Sequence, residues 1–342
     1  MDIKTAIRKI IARESLSEKE MRSVFGAIMS GRATPAQIGA FITVLRMKGE
    51  TVDEIAGAVR VMREKALKVK AGGTVLDTCG TGGSGIDTFN ISTAAAFVVA
   101  ACGVKVAKHG NRAASSRSGS ADVLEALGVK IDIPPALVEK CIKEIGVGFM
   151  FAPVFHGAMK HASGPRRDVG VRTIFNMIGP LSNPASASCQ VMGVYEPALT
   201  EVMANVLKKL GTKRAYVVHG GDGLDEATLT GYTRISELRN GRVRTFRVSP
   251  QDFGLKKASI RTLLGGGAEK NAVIIKDILS GKKGPRRDIV LMNAALGLMA
   301  AGKASGFKQG VRTAAGAVDS GMAMEKLGLL VKMTNGRKRR AK

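Results

Sequence analysis

A glycine-rich stretch, GTGGSGIDTFNIST at positions 80–93, has the residue types needed to bind an anion with backbone and hydroxyl groups. It follows the predicted strand TVLDTC (74–79) and ends where an apolar helix is predicted to begin. Glycine lets several backbone N–H groups converge on one anion, and the N-terminus of a helix favours negative charge. Ser92 and Thr93 add hydroxyl groups at that helix start, and one of them could ligate Mg²⁺. The stretch therefore predicts a pyrophosphate cradle.

Two other interpretations compete for the same stretch. Gly80, Gly82 and Gly85 satisfy the G-x-G-x-x-G spacing of dinucleotide-binding folds. That fold needs a second strand ending in an acidic residue for the ribose, whereas VKVAKH (104–109) ends in lysine and histidine. At Ser92 alone, a simple helix N-cap is the ordinary explanation. The whole string of glycines and hydroxyl residues favours the pyrophosphate cradle over both.

A second polar loop follows the strand VKVAKH. It carries Lys108, His109, Arg112, Ser115, Ser116 and Arg117. Sites collect at the carboxyl ends of strands in open parallel sheets, and Arg, Lys and Ser side chains supply charge and hydrogen bonds to phosphates. His109 is either a general base or a polar wall, and the lack of a Ser or Cys nucleophile motif beside it favours the wall. The two loops together predict a ligand with more than one phosphate.

An acidic pair, Asp225 and Glu226, follows a further apolar strand in HGGDGLDEATLTG (219–231). Adjacent carboxylates suit Mg²⁺, which proteins bind through one or two carboxylates together with substrate phosphates and water. The pair could also belong to a solvated turn, since Asp222 is close by. Next to a predicted polyphosphate site, metal binding is the favoured interpretation.

The predicted secondary structure that must position these loops differs between the N-terminal segment and the rest of the chain. Residues 1–68 show only helical periodicity, with helix starts predicted at Ser17, Thr34-Pro35 and Thr51. After a linker at 70–73, short apolar strands alternate with helices. The predicted strands are TVLDTC (74–79), VKVAKH (104–109), KIDI (130–133), GFMFA (148–152), CQVMGVY (189–195), AYVVHG (215–220) and AVIIK (272–276). This pattern predicts an α/β fold: a small all-helical domain plus a large α/β domain with a mostly parallel central sheet flanked by helices.

Composition limits the class of protein. The net charge of +25 favours anionic partners, and the mean hydropathy of +0.07 is typical of a globular chain. Apolar stretches are too short to span a bilayer and the N-terminus has no signal-peptide core, so a cytoplasmic location without membrane contact is expected. With no Trp and three Tyr, base-stacking platforms are not supported, and nucleic acid is not expected as a partner.

The four cysteines form no CxxC pair, which argues against zinc fingers. The basic end of the chain, residues 336–342, is expected to be a disordered tail.

Four strings resemble motifs of the anthranilate phosphoribosyltransferase family of tryptophan biosynthesis, and they occur in the family's order. They are GTGGSGIDTFNIST, KHGNRAASSRSGSADVLEALG, RTIFNMIGPLSNPA and HGGDGLDE. The resemblance spans nearly the whole chain. It implies a nucleoside-phosphorylase-like fold, a homodimer formed through the helical domains, and an active site in the cleft between domains. The implied domains are a helical one of residues 1–69, joined in space by about 166–183, and an α/β one of residues 70–165 and 184–335.

The resemblance also implies two substrates and their ligands. Phosphoribosyl diphosphate would be bound by Gly80, Gly83, Ser84, Thr88, Asn90, Ile91, Ser92, Thr93, Lys108, His109, Gly110, Asn111, Arg112, Ala113, Ala114, Ser115, Ser116 and Ser120. Anthranilate would contact Gly80, Asn111 and Arg166, with His109, His156 and Pro180 lining its pocket. Two Mg²⁺ ions are implied per active site, one held by Ser92 and one by Asp225 and Glu226. No residue is assigned as a certain catalytic group, and Lys108, Asn111 and Arg166 are given electrostatic and positioning roles. Many members have Asp where this chain has Ser84, so the backbone of Ser84 is expected to matter more than its side chain.

The implied reaction transfers the 5-phosphoribosyl group to the amine of anthranilate and releases pyrophosphate. Two alternatives stay open. A nucleoside phosphorylase on the same fold would use phosphate as the nucleophile and would not need a two-metal diphosphate site. A non-catalytic nucleic-acid binder is suggested by the net charge alone. The acidic pair and the string NIST favour the transferase over the phosphorylase, and the anion, metal and acceptor residues together argue against the nucleic-acid binder.

Overall fold

The structure, a computed structural model, describes residues 1–113 and 116–336. Its first four elements are helices, and side-chain caps confirm the predicted helix starts at Ser17, Thr34 and Thr51. At each start the cap hydroxyl accepts a backbone N–H three residues on, and that residue's side chain accepts the cap's own N–H. The four helices are α1 (Ile3–Ile11), α2 (Glu18–Met29), α3 (Pro35–Lys48) and α4 (Val52–Lys65).

Strands and helices alternate along the rest of the described chain. The strands are β1 (Val75–Gly80), β2 (Lys105–Gly110), β3 (Val147–Phe151), β4 (Cys189–Gly193), β5 (Arg214–Gly220), β6 (Thr233–Arg239) and β7 (Arg242–Val248). The helices are α5 (Ile91–Ala101), α6 (Ser120–Ala126), α7 (Pro135–Glu144), α8 (Ala152–Phe155), α9 (Lys160–Val169), α10 (Ile174–Leu181), α11 (Leu199–Lys209), α12 (Ala268–Leu279), α13 (Pro285–Ala300), α14 (Phe307–Asp319) and α15 (Met322–Thr334).

The strands form one sheet in the order β3-β2-β1-β4-β5-β6-β7. The first five are parallel, and β6 and β7 add an antiparallel hairpin at one edge. Successive side chains of β5 serve opposite faces: Val218 joins a core with α5 and α13, whereas Val217 joins a core with α11 and the first four helices. Helices therefore cover both faces, and the predicted fold class, a helical unit plus a mostly parallel sheet flanked by helices, is confirmed.

Helices α9 and α10 pack on the N-terminal helices rather than beside the sheet. α9 lies against α2 and α3, and α10 lies against α3 and α4. The rings of Phe25 on α2 and Phe175 on α10 are 5.5 Å apart between centroids, within the apolar core that these helices share. The result is a six-helix unit beside the sheet. The division of the chain into two separate domains stays a prediction.

Two predicted strands are wrong. AVIIK (272–276) lies inside α12, where the buried residues Ala272, Ile275 and Leu279 follow helical spacing. KIDI (130–133) forms no strand: Ile131 and Ile133 alternate into the core as in a strand, but the segment does not join the sheet. The hairpin of β6 and β7 was not predicted. Across the described ranges, no helix is long and apolar enough to cross a membrane, and residues 337–342 of the predicted basic tail lie outside those ranges.

Candidate active site

The predicted anion-binding loops meet at the carboxyl ends of the central strands. β1 lies between β2 and β4, so the chain connects in opposite directions on the two sides of β1. In open α/β sheets such a reversal leaves a crevice outside the carboxyl ends of the strands, where ligands bind. The loops that follow β1, β2 and β5 all reach this crevice, which brings together segments far apart in sequence.

The glycine-rich turn after β1 needs its glycines. Gly82, Gly83 and Gly85 have φ values of 66°, 81° and 74°, a left-handed conformation that costs other residues strain. The Gly82 N–H donates to Asp225 Oδ2 at 2.9 Å, so the turn is tied to the acidic pair. The Gly83 carbonyl accepts from Arg172 Nη2 at 2.6 Å. The turn is thus held from both sides, while the Ser84 hydroxyl bonds within it to the backbone of Ile86.

Residues at the end of the turn connect it to the rest of the protein just before α5. The side chain of Asn90 forms structural hydrogen bonds, because it donates to the Ser118 carbonyl at 3.0 Å and accepts from Asn271 at 3.0 Å. Ile91 is the buried first residue of α5, and Thr88 forms an isolated bridge with Leu264. These contacts fix the position of the helix start.

Ser92 and Thr93 bring two hydroxyl groups to the first turn of α5. The Ser92 N–H donates to Glu226 Oε1 at 3.2 Å, and its hydroxyl accepts from Lys108 Nζ at 3.3 Å. The Thr93 hydroxyl is buried and has no hydrogen-bond partner within the described part of the chain. A buried hydroxyl without a partner is uncommon, so Thr93 has capacity for a ligand.

The acidic pair crosses over the ends of β1 and β4. A Cβ on Gly193 would lie 1.5 Å from the Asp225 carbonyl oxygen, and one on Gly80 would lie 2.5 Å from Asp225 Oδ2. Only glycine allows this approach. The loss of solvent around the two half-buried carboxylates raises both pKa values, and with added repulsion from Asp225 that of Glu226 reaches about 8.

This arrangement of carboxylates fits Mg²⁺. Two desolvated carboxylates beside one ammonium group lack full charge compensation, and a hard divalent cation prefers such oxygen ligands. Among the described residues no group of three or more His, Cys, Asp or Glu could hold a metal by itself. An ion at Asp225 and Glu226 would therefore complete its coordination with Ser92, water or substrate phosphates.

Lys108 lies inside the sheet rather than on the loop. Its Nζ donates to the carbonyl of Thr78 and to the hydroxyl of Ser92. Burial lowers its pKa, and the neighbouring carboxylates of Asp77 and Glu226 oppose that effect. The ammonium group is thus aimed at the start of α5, next to the acidic pair.

The polar loop after β2 closes on α6. Asp122 accepts the N–H groups of Ala113 at 2.9 Å and Gly119 at 2.8 Å, which pins both ends of the loop. Arg112 forms ion pairs with Asp122 at 3.1 Å and with Glu125. These ion pairs must break before Arg112 can make its predicted contact with phosphate. The Ser120 hydroxyl donates to the Asn111 carbonyl at 3.4 Å. Of the other predicted ligands, Gly110 ends β2 and Ser116 is exposed, while Ala114 and Ser115 lie outside the described residues.

A cavity of about 420 Å³ lies between the sheet and the six-helix unit. Four of the six residues predicted for anthranilate line it, namely His109, Asn111, His156 and Arg166. Gly80 and Pro180 are not among its lining residues. Its remaining walls are largely apolar and include Met62, Met159, Phe175 and Ile178.

Two buried histidines form one wall of the cavity. The rings of His109 and His156 are 5.0 Å apart, and the Nε2 atom of each is buried without a hydrogen-bond partner within the described ranges. Burial lowers the pKa of His109 to about 3, assisted by His156, and lowers that of His156 to about 4. Both rings are therefore neutral at physiological pH, which favours the polar-wall interpretation of His109 over a general base.

Three contributors to this site were not predicted. Arg172 holds the glycine-rich turn and stacks on the Tyr195 ring at 4.4 Å. Asp77 on β1 and Asn183 after α10 form a buried hydrogen-bonded pair, and Asp77 also accepts the backbone N–H of His109. Asp77 did carry a signal, because it is the one charged residue in the strand VLDTC.

Comparison with known proteins agrees with this geometry. Family models described as "Glycosyl transferase family, helical bundle domain" and "Glycosyl transferase family, a/b domain" match residues 4–66 and 72–324. The anthranilate phosphoribosyltransferase of Geobacter sp. (strain M21) is 57% identical, over 97% of this chain and 99% of the relative.

Solved structures extend the likeness to the whole fold. The anthranilate phosphoribosyltransferase of Thermus thermophilus has a TM-score of 0.92 at 44% identity, covering 97% of this chain and 99% of that one. The enzyme of Saccharomyces cerevisiae in complex with PRPP and Mg has a TM-score of 0.89 at 28% identity, covering 97% and 98%. The chain belongs to the anthranilate phosphoribosyltransferase family.

Proposed function

We propose that the chain transfers the 5-phosphoribosyl group of phosphoribosyl diphosphate to the amine of anthranilate, giving N-(5-phosphoribosyl)anthranilate and pyrophosphate in tryptophan biosynthesis. One observation carries this proposal. The cavity that contains Asn111 and Arg166 borders the same strand end that carries Lys108 and the anion-binding loops. An acceptor pocket thus adjoins a diphosphate site, as a transfer between two substrates requires.

Anthranilate has a carboxylate, an amine and an aromatic ring, and the cavity offers partners for the carboxylate and for the ring. Arg166 supplies a planar guanidinium suited to a carboxylate. Met159, Phe175 and the other apolar residues of the wall suit the ring. Since an aniline-type amine is uncharged at neutral pH, it needs no strong general base, which agrees with the neutral state of His109 and His156.

The donor site combines backbone groups, hydroxyls and one ammonium group. We assign it to the glycine-rich turn, the start of α5, Lys108 and the loop through Ser120. Asp225, Glu226 and Ser92 would hold Mg²⁺, with two ions per site. When bound, Mg²⁺ neutralises charge on the diphosphate and improves it as a leaving group. The protein's own contribution is to align the two substrates and to place positive charge where the diphosphate departs.

Assembly and location are parts of the same proposal. A homodimer through the helical unit is supported by two exposed apolar side chains there, Ile11 at 64% and Met47 at 69% exposure. Met47→Glu should shift the chain towards a monomer in light scattering after size exclusion, whereas Val273→Glu on α12, similarly exposed but on the α/β side, should not. A cytoplasmic location stays a prediction.

The activity is tested by the loss of anthranilate fluorescence on addition of phosphoribosyl diphosphate and Mg²⁺. The expected result is a loss that requires both additions, with pyrophosphate released in equal amount. Phosphate-dependent cleavage of nucleosides, with no consumption of anthranilate, would contradict the proposal.

A further inference from the structure

Three arginines form a row across β5, β6 and β7, at the end of these strands that lies away from the candidate active site. Arg214 begins β5, Arg239 ends β6 and Arg242 begins β7. The strand registers place Arg214 directly opposite Arg239, and Arg239 directly opposite Arg242. Residues directly opposite in an antiparallel pair share a face, with Cβ atoms about 4.5–5.5 Å apart. Three like charges therefore stand side by side, an arrangement that destabilises the sheet unless something compensates it.

The row opens onto a cavity of about 390 Å³. Arg214 and Arg239 line this cavity together with Lys303, which comes from the connection between α13 and α14. None of these three cations, nor Arg242, forms an ion pair with any described residue. Glu237, two residues before Arg239 on β6, accepts the Tyr216 hydroxyl at 2.9 Å. The cavity thus carries an excess of positive charge.

The start of α14 adds to that excess. Ser305 and Gln309 line the cavity at this helix start, and the N-cap Gly306 supplies no side-chain cap. The first turn contains no acidic residue. Free N–H groups and the helix dipole at such an end favour an anion, in the same direction as the arginine row.

We propose that the arginine row, Lys303 and the start of α14 bind a small phosphate-bearing anion at a site separate from the transfer reaction. Guanidinium groups match the oxygens of a phosphate in pairs, and a bound anion removes the repulsion along the row. The cavity volume is within the range of small-molecule sites. Because β5 is seven residues long, the row lies roughly 20 Å from the carboxyl end of that strand, so the same ligand cannot span both sites.

Arginines can also serve only to keep a sheet edge from pairing with another chain. That role explains Arg242, which is on the edge strand β7. It does not explain Arg214 and Arg239, because β5 and β6 are both paired on two sides. Arg214 and Arg239 therefore need another reason.

The first test measures thermal stability. In dilute phosphate-free buffer, Arg239→Gln removes the middle charge and should raise Tm or leave it unchanged. Inorganic phosphate should then raise Tm of the wild type more than that of Arg239→Gln, with NaCl at equal ionic strength as the reference for screening. An equal rise in both proteins, or an equal effect of NaCl, would overturn the proposal.

The second test measures binding of inorganic phosphate by calorimetry, in a Lys108→Met background that weakens phosphate binding at the candidate active site. Adding Arg214→Gln and Arg239→Gln should weaken the remaining binding at least tenfold. Arg312→Gln removes an exposed charge from α14 and is the matched control, which should bind as the background does. Unchanged binding in the double variant, or an equal loss in the control, would count against the site.

Discussion

The carboxylate of Asp77 on β1 accepts a hydrogen bond from the side-chain amide of Asn183 at 2.8 Å, and both side chains are shielded from solvent. The same amide donates to the Ala107 carbonyl at 2.8 Å, and Asp77 accepts the His109 N–H at 3.2 Å. The backbone ladder between β1 and β2 stops before this point, at Leu76. These two side chains therefore replace ladder bonds where the strands must separate, and they set the position of Lys108 and His109 above the crevice.

Asn183→Ala should lower the free energy of unfolding by about 2–4 kcal/mol, because it leaves a carboxylate and a carbonyl buried without their donor. It should also raise KM for phosphoribosyl diphosphate, through displacement of Lys108. Denaturant unfolding and steady-state kinetics measure the two effects. Asn205→Ala on the exposed side of α11 is the control and should change stability by no more than about 0.5 kcal/mol. If both variants behave alike, the role assigned to Asn183 is wrong.

The sequence predicted the parallel strands well because each is an apolar run bounded by turn residues. It failed at AVIIK (272–276), since a short apolar run does not distinguish a strand from a buried helix. It also passed over the hairpin of β6 and β7, although the pair Asn240-Gly241 between them is a strong hairpin signal. The many arginines of those two strands hid the apolar alternation.

The candidate site was predicted as separate strings rather than as one arrangement. Asp225 and Gly82 are 143 residues apart, and Glu226 and Ser92 are 134 apart. Their contact depends on β1 lying next to β4, with β5 beyond it, a sheet order that no local pattern contains. The support from Arg172 likewise depends on where α9 and α10 pack.

Arg166→Ala should raise KM for anthranilate roughly tenfold to a hundredfold, because a charge-assisted contact to the carboxylate contributes about 1.5–3 kcal/mol. KM for phosphoribosyl diphosphate should change little. Arg166→Lys keeps the charge but loses the planar guanidinium, so its KM for anthranilate should lie between those of the wild type and Arg166→Ala. Arg167→Ala, the exposed neighbour, is the control. Equal increases in both KM values would contradict the role of Arg166.

The histidine pair predicts a pH dependence of stability. Both folded pKa values, about 3 and about 4, lie below the ordinary value of 6.5. Between these values and pH 6.5 the unfolded chain binds protons at both histidines and the folded chain does not. The free energy of unfolding is therefore highest above pH 6.5 and falls as the pH drops from there towards 4. Each histidine contributes a slope of up to about 1.4 kcal/mol per pH unit in that window.

His156→Asn should flatten that decline in urea unfolding measured from pH 7 to pH 4.5. Met159→Leu alters the same cavity without removing a titrating group and should keep the wild-type slope. A His156→Asn slope identical to the wild type would show that this ring titrates freely in the folded protein.

Glu226→Gln should raise the Mg²⁺ concentration needed for half-maximal activity at least tenfold and lower kcat, because one carboxylate ligand is lost. Asp222→Asn is the control, since its carboxylate is used within the same loop by Thr228 and Thr230 at 2.6 and 2.7 Å. That variant should lose stability yet keep the Mg²⁺ requirement of the remaining folded enzyme. An unchanged Mg²⁺ titration in Glu226→Gln would remove the acidic pair from the metal site.

Gly193→Ala tests whether the close approach of the acidic loop to β4 matters. The new Cβ would fall 1.5 Å from the Asp225 carbonyl oxygen, so the loop must move away from the strand end. We expect kcat/KM to fall at least tenfold and the Mg²⁺ requirement to rise, while circular dichroism keeps the wild-type helix and strand signal. Gly26→Ala in α2 is the control, because the added Cβ meets nothing within 4 Å. This substitution should stabilise the helix by about 0.5–1 kcal/mol. Wild-type activity and Mg²⁺ dependence in Gly193→Ala would mean that Asp225 and Glu226 act from a position other than the one described.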